Sequence, residues 1–303
     1  MIKSRRSFIK TAAAGLTTAA VLPIYSFTPM KDNKPLFKIS LAEWSLNKTL
    51  FRGDIDNLDF PSVAAEQFEI HAVEYVNQFF PSASSKYARE LLKRSQDAGV
   101  RNLLIMIDGE GDLGELYEPK RSRAVEKHFD WIECAKELGC HSIRVNAGGN
   151  GSREDVAAAA VRSLGTLCEF AEQHEISVLV ENHGGYSSDG RWLSDVISGV
   201  GMKNCGTLPD FGNFRIGPGN EYDRYQGMRE LMPFAKGVSA KSLDFDQNGE
   251  EIHTDYYKML KIVKESGYRG YIGIEYEGQN LSEAEGIMAT KKLLLKAVKK
   301  LDG

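Results

Sequence analysis

The segment LVENHGG, residues 179–185, ends an apolar run with two side chains that can bind a metal ion, Glu181 and His183. Asp210 closes a second run, GTLPDF, and Glu275 lies in a third, YIGIEYEG. Three carboxylates brought together without a counter-charge would repel one another, and a divalent cation would relieve that repulsion. Oxygen ligands favour Mg or Mn, whereas His183 as a further ligand leaves Co, Fe or Zn open. Alternatively, each acid pairs with its own Arg or Lys or caps a helix, which explains any one acid better than all three.

Such a site has a definite chemistry. A divalent ion bound to the hydroxyl and carbonyl oxygens of a sugar lowers the cost of removing the proton alpha to the carbonyl. One carboxylate can then remove the proton and another can return it, and Glu181 and Glu275 are the candidates for these steps. Return to the opposite face gives epimerisation, return to the neighbouring carbon gives isomerisation, and loss of a beta substituent gives elimination.

Eight short β-rich runs, alternating with amphipathic helical patterns, must position these residues. The runs cover residues 37–44, 72–79, 101–108, 142–148, 177–183, 206–211, 237–243 and 271–278. Gly139 and Gly267 are placed to stop two of the helices, and Ser282 with Glu285 has capping-box spacing at the start of the last helix. Eight strand and helix units over residues 36–303 predict a single-domain α/β fold, the closed (β/α)8 TIM barrel, with its chemistry at the C-terminal ends of the strands.

Alternation along each strand predicts which side chains point into the barrel. In the fifth strand the apolar face of Ile176, Val178 and Val180 suits the surrounding helices, which leaves Glu181 and His183 inside. The same reasoning places Glu275, Glu277, Ser239, Lys241, Arg144 and Asn146 inside.

The motifs ENHGG at 181, TLPDFGNF at 207, VSAKSLDFD at 238 and YIGIEYEG at 271 together resemble the xylose isomerase-like barrel superfamily of sugar isomerases and epimerases. The resemblance covers essentially the whole chain after residue 35. It implies that Glu181, Asp210 and Glu275 are metal ligands and that the two glutamates form an acid/base pair across the substrate. Asn213 and Ser239 stand where the family commonly has histidines, so His183, Ser239 or water would complete the metal shell.

Further residues are expected to contact the sugar. Lys241 could stabilise an oxyanion, pair with Glu277 or Asp244, or act as a structural counter-charge. Trp44 could stack on a sugar face, although an aromatic residue near a barrel strand is more often packing. The full predicted set is Lys241, Asn213, Arg144, Asn146, Glu74, Glu277 and Trp44.

Four functions stay open on the sequence. The first is a divalent-metal-dependent isomerase or epimerase of keto-sugars, and the second is a lyase that eliminates the aglycone of a 3-keto-glycoside. The third is a Schiff-base aldolase centred on Lys241, and the fourth is a sugar-binding barrel without catalysis. The superfamily also resembles metal-dependent apurinic endonucleases, but an acidic chain of net charge -4 argues against a nucleic-acid partner.

The N-terminal stretch MIKSRRSFIKTAAAGLTTAAVLPIYSF joins a twin arginine, Arg5 and Arg6, to a short apolar run. SRRSFIK resembles the bacterial twin-arginine translocation motif, so residues 1–30 are predicted to be a cleaved signal peptide and linker. The export machinery would then be a partner, and the mature protein would be periplasmic. The run is too short and too weakly apolar to predict a stable membrane anchor. The four cysteines form no CxxC pair and are expected to be buried thiols, with a disulfide of unassigned pairing in an oxidising compartment as the alternative.

Overall fold

The computed structural model describes residues 36–302, so the predicted signal peptide lies outside the described residues. Ten strands occur in this part of the chain, and eight of them form one parallel sheet in the order β6-β5-β4-β3-β2-β1-β10-β9. The strands are β1 Lys38–Ala42, β2 Ala72–Val76, β3 Arg101–Met106, β4 Ser142–Asn146, β5 Ser177–Glu181, β6 Cys205–Leu208, β7 Arg215–Gly217, β8 Asn220–Glu221, β9 Val238–Ser242 and β10 Tyr271–Tyr276.

The sheet curls into the predicted (β/α)8 barrel. The first strand, β1, pairs with both β2 and β10, so the first and the last strand of the described residues are neighbours in the sheet. The remaining seam, between β6 and β9, is bridged by Thr207 with Ala235 and by Asp210 with Ser239. Because Asp210 lies at this seam, closure of the barrel also places its carboxylate beside β9.

Nine helices surround the strands in the described residues. They are α1 Asn47–Arg52, α2 Phe60–Phe68, α3 Ser85–Asp97, α4 Glu118–Glu137, α5 Arg153–Gln173, α6 Gly190–Val200, α7 Arg224–Leu231, α8 Tyr256–Glu265 and α9 Glu283–Asp302. None of these helices combines the length and the apolar character needed to cross a bilayer.

The predicted helix ends are confirmed. Gly139 and Gly267 have φ angles of 77° and 82°, in the left-handed region that favours glycine. At the start of α9 the Ser282 backbone N–H donates to Glu285 Oε2 at 3.0 Å, and the Glu285 N–H donates to Ser282 Oγ at 3.3 Å. This reciprocal pair is the capping box that the spacing predicts.

Apolar side chains form two clusters, one on each side of the sheet. The larger lies between strands and helices and includes Ile176, Val178 and Val180, as the alternation predicts. The smaller fills the barrel interior with Ala42, Val76, Leu104, Met106, Leu179 and Leu208. The inward and outward assignment of β5 is therefore confirmed. The four cysteines are buried and free, also as predicted.

Candidate active site

Three buried carboxylates meet at the C-terminal end of the barrel. Glu181 ends β5, Asp210 follows β6 by two residues, and Glu275 lies near the end of β10. Each offers one oxygen, and these three oxygens lie within 4.8 Å of one another. Strands that are distant in sequence thus converge on one small volume, as the strand ends of a barrel must.

The loop after β6 holds Asp210 in a fixed orientation. Asn182 anchors this loop because its Oδ1 accepts from the Asp210 N–H at 2.8 Å and its Nδ2 donates to the Asp210 carbonyl at 3.1 Å. Asp210 Oδ1 accepts from the backbone N–H groups of Gly212 and Asn213, both at 2.8 Å. Asp210 Oδ2 is buried and has no hydrogen-bond partner among residues 36–302. One oxygen of this carboxylate is therefore used by the fold, and the other is available to a ligand.

Asn213 links Glu181 to Lys241. Its Nδ2 donates to Glu181 Oε1 at 2.9 Å, and its Oδ1 accepts from Lys241 Nζ at 3.2 Å. Lys241 Nζ also lies 3.1 Å from Glu275 Oε1 and 3.2 Å from Glu277 Oε1. The predicted pairing of Lys241 with Glu277 is confirmed, whereas Asp244 accepts from Asn280 instead.

Arg144 is the second buried cation of the site. Its Nη1 donates to Asp108 Oδ1 at 2.7 Å, and its Nε lies 2.8 Å from Glu181 Oε2. Neither atom of the second pair makes a hydrogen bond in the described part of the chain, so this contact is an ion pair alone. Asn146 Nδ2 donates to Asp108 Oδ1 at 2.7 Å. Asp108 was not singled out from the sequence, although its place at the end of the apolar run RNLLIMID marks it as the polar end of a strand.

Burial and like charges perturb the acids of this cluster. Burial, reinforced by the charge of Glu275, raises the pKa of Glu181 and of Asp210 to about 7. The charge of Lys241 opposes both shifts, and that of Arg144 opposes the shift of Glu181. Burial also acts to raise the pKa of Glu275, but the charges of Lys241 and Arg144 outweigh it and hold that pKa below its ordinary value. For Lys241, burial would lower the pKa, but the surrounding acids raise it well above its ordinary value. Such pKa shifts are expected where buried carboxylates lie close together and outnumber the cations beside them.

These residues fit a divalent cation. Asp210 Oδ2 is a buried carboxylate oxygen that has no donor among the described residues, an arrangement that is costly unless a cation satisfies it. Glu181 Oε2 is paired with the charge of Arg144 but accepts no hydrogen bond from the described residues. The possible ligand atoms of Glu181, Asp210 and Glu275 are all carboxylate oxygens, which suit hard or borderline divalent ions. His183 is exposed just beyond β5 and lies outside the group of ligand atoms. Its role as a ligand, like the other assigned roles, stays a prediction.

Glu74 occupies the barrel interior close to the cluster. Its Oε1 accepts from Ser40 Oγ at 2.6 Å, and its Oε2 is buried without a hydrogen-bond partner in the described part of the chain. Burial raises the pKa of Glu74 to about 7, and the charges of Glu275 and Glu181 add to the shift. A Cβ atom at Gly273 would lie 2.6 Å from Glu74 Oε2, so the absent side chain on β10 makes room for this acid. Ser40 was not found from the sequence because its inward position gives no chemical signal by itself.

The last predicted contact residues, Trp44 and Glu277, line one cavity. It has a volume of about 200 Å³ and is bounded by Trp44, Asn47, Lys48, Tyr276, Glu277, Gly278, Gln279 and Glu283. Trp44 lies in a short 3₁₀ turn, Glu43–Leu46, directly after β1. The cavity therefore adjoins the strand ends that carry the charged cluster.

Residues 63–297 match the family described as the xylose isomerase-like TIM barrel. The match covers well over half of the chain, and the protein belongs to this family. The resemblance seen in the late-strand motifs is thereby confirmed at the level of the family.

Solved structures share the fold. A D-tagatose 3-epimerase-like protein superposes with a TM-score of 0.67 at 20% identity, covering 88% of this chain and 100% of that one. The IOLI protein, whose crystal structure holds a zinc atom, gives a TM-score of 0.66 at 16% identity, with 87% and 99% covered. At these identities the likeness concerns the fold alone.

A shorter stretch is similar in sequence to a C-glycoside deglycosidase alpha subunit of Arthrobacter globiformis. The two are 36% identical over 66 residues, which is 21% of this chain and 19% of that subunit. The match thus spans a fifth or less of the length of the curated relatives.

Proposed function

We propose that this protein is a divalent-metal-dependent isomerase or epimerase of keto-sugars. The observation that carries the proposal is the meeting of Glu181 and Glu275, from strands far apart around the barrel, within 4.8 Å of each other and of Asp210. Membership of the xylose isomerase-like family, and the epimerase-like protein among its structural neighbours, support it.

The proposed mechanism is a proton transfer between two carboxylates. A divalent cation held by Glu181, Asp210 and Glu275 would polarise the carbonyl of the sugar and offset the negative charge that develops on its oxygen. One glutamate removes the proton alpha to the carbonyl, and the other returns a proton to the enediolate. Asn213 and Arg144 hold the two oxygens of Glu181, at 2.9 Å and 2.8 Å. Lys241 holds Glu275 through its Oε1 at 3.1 Å, so both proton carriers are fixed in orientation.

Elimination is the second candidate reaction, and the likeness to a C-glycoside deglycosidase subunit favours it. In a 3-keto-O-glycoside the same base would remove the proton on C2, the C2–C1 bond would become double, and the C1–O bond would break. The electron pair leaves on the aglycone oxygen, which takes up a proton. The products are an unsaturated keto-sugar and the free aglycone.

Hydrogen exchange tests the proposal. The metal-loaded protein is incubated with a panel of keto-sugars and 3-keto-glycosides in deuterated water, and the product is examined by NMR. We expect deuterium at the carbon alpha to the carbonyl, lost in Glu181→Gln and retained in the surface control Glu175→Gln. Turnover without any exchange would rule out this proton transfer, and release of an aglycone would identify the lyase.

We also propose that residues 1–30 direct the folded protein to the periplasm through the twin-arginine pathway. The paired Arg5 and Arg6 ahead of an apolar run support this. Expression of the full chain with both arginines changed to lysine should leave the protein uncleaved in the cytoplasm. Unchanged processing and periplasmic recovery of this variant would show that another route exports it.

A further inference from the structure

Three aromatic side chains form a cluster at the barrel end that carries the acids. We call Trp44, Phe51 and Phe79 the aromatic rim. The ring centroids of Trp44 lie 6.0 Å from those of Phe51 and Phe79, and the two phenylalanines are 5.0 Å apart. Trp44 follows β1 and Phe79 follows β2, and both pack on the apolar cluster inside the barrel. The rim therefore borders the mouth of the barrel.

Internal packing does not account for Phe51. This ring is 62% exposed, whereas every other phenylalanine among residues 36–302 is buried or half-buried. An aromatic ring contributes to stability mainly through the area that it buries, so a ring left in water contributes little. A ligand that covers such an exposed ring removes its apolar area from water, and this burial contributes favourable binding free energy.

The aromatic rim continues into the charged cluster. Trp44 forms one wall of the 200 Å³ cavity and Glu277 forms another. Glu277 lies 3.2 Å from Lys241 Nζ, which lies 3.1 Å from Glu275. A ligand whose polar part lies among the acids can thus extend through this cavity towards apolar rings.

We propose that the aromatic rim binds the apolar, ring-containing aglycone of a glycoside whose sugar occupies the carboxylate site. This inference rests on the proposed function, which supplies the sugar. A single pyranose offers one patch of C–H groups and could cover one ring, whereas three rings provide a surface that suits a second ring system. The natural substrate is then a keto-sugar in glycosidic form rather than a free keto-sugar.

Binding of unreactive glycosides tests the aglycone subsite apart from catalysis. Phenyl and methyl β-D-glucopyranoside differ only in the aglycone and have no carbonyl next to a transferable proton, so they are not consumed. We expect the full-length, metal-loaded protein to bind the phenyl glycoside about fivefold more tightly by calorimetry. Phe51→Ala should abolish this difference without changing the affinity for the methyl glycoside, and Phe51→Leu should retain part of it.

Leu295→Ala is the matched control, since Leu295 is 53% exposed on α9 and is not part of the aromatic rim. Equal binding of the two glycosides, absence of phenyl glycoside binding, or an unchanged preference in Phe51→Ala would overturn the proposal. So would self-association of the wild type that Phe51→Ala removes, because a second copy of the chain would then cover the rim. The protein could also prefer the phenyl glycoside over the methyl glycoside and yet catalyse no hydrogen exchange in any keto-sugar. That result would uphold the aglycone subsite and reject the proposed proton transfer.

Discussion

Asn213 shows how a single residue changes the character of the site. The resemblance places a histidine at this position, whereas the amide here donates to Glu181 and accepts from Lys241. A neutral histidine could make two such contacts only in one tautomer, and a charged one would add to the cations. The amide bridges the acid and the lysine without adding charge. The site therefore keeps its acidic excess, which a divalent cation can balance.

Asp210 provides the first prediction at the scale of single residues. Asp210→Asn replaces the free Oδ2 or the loop-holding Oδ1 by an amide, so we expect the metal affinity to fall roughly 100-fold or more. The measurement is metal content after chelation and reloading, with about one divalent ion per chain expected in the wild type. Asp195→Asn, at an exposed position on α6, serves as control. Equal metal content in Asp210→Asn and the wild type would remove Asp210 from the ligands.

Lys241 provides the second prediction for a single residue. Lys241→Met removes the cation that contacts Glu275 and Glu277, leaving buried acids that repel one another. Without divalent ions we expect the free energy of unfolding to fall by about 3–5 kcal/mol, the usual effect of removing one partner of a buried ion pair. Added Mn²⁺ should restore much of this loss. Denaturant titration with and without the ion measures both effects, and an equally stable variant would show that Lys241 is no counter-charge.

The same lysine is poorly suited to an aldolase. Schiff-base formation needs the neutral amine, but the surrounding acids raise the pKa of Lys241 well above its ordinary value. The ammonium form therefore dominates at neutral pH. This argues against the aldolase alternative, and borohydride trapping on Lys241 would be needed to revive it.

At the scale of elements, strand periodicity was the strongest signal in the sequence. Eight runs with alternating faces were enough to predict the barrel and to place Glu181 and Glu275 inside it, because the period of two leaves no choice once one face is apolar. The hairpin of β7 and β8 was not predicted, since its three- and two-residue strands carry no periodicity. The contacts of Asp108 and the aromatic rim were missed because they depend on how the loops after β1, β2 and β3 fold.

Gly273 in β10 gives a prediction for the sheet. A Cβ atom there would lie 2.6 Å and 2.7 Å from the two Glu74 carboxylate oxygens, so Gly273→Ala should destabilise the protein by about 1–3 kcal/mol. The clash depends on Glu74, so the cost should shrink when Glu74→Ala is added, which a double-mutant cycle of unfolding free energies measures. Gly165→Ala is the control, because a Cβ atom at this position in α5 would meet no atom of the described residues within 4 Å beyond its own helix backbone and chain neighbours. Additive effects would show that Glu74 does not need the space at Gly273.

At the scale of the whole molecule, buried acids make stability depend on pH. Burial raises the pKa of Glu43 from 4.5 to about 8, against the opposing hydrogen bonds from Val76 and Asn57. A carboxyl group with a raised pKa in the folded state binds more protons there than in the unfolded chain. Its stabilising contribution is complete below the ordinary value of 4.5 and is lost as the pH rises through about 8. The free energy of unfolding should therefore fall with increasing pH in this window.

Glu43→Gln isolates this effect because Glu43 lies outside the ligand cluster, directly after β1, where its Oε2 accepts from the Val76 N–H at 2.9 Å. The amide cannot ionise, so the decline in unfolding free energy between about pH 4.5 and pH 8 should be shallower by up to ~1.4 kcal/mol per pH unit. Urea titrations at each pH in the presence of a chelator measure it, and Glu66→Gln, at an exposed position on α2, should leave the wild-type slope unchanged. Parallel profiles for Glu43→Gln and the wild type would show that Glu43 is ionised in the folded protein throughout. In that case its two donors, Val76 and Asn57, would outweigh the cost of burial.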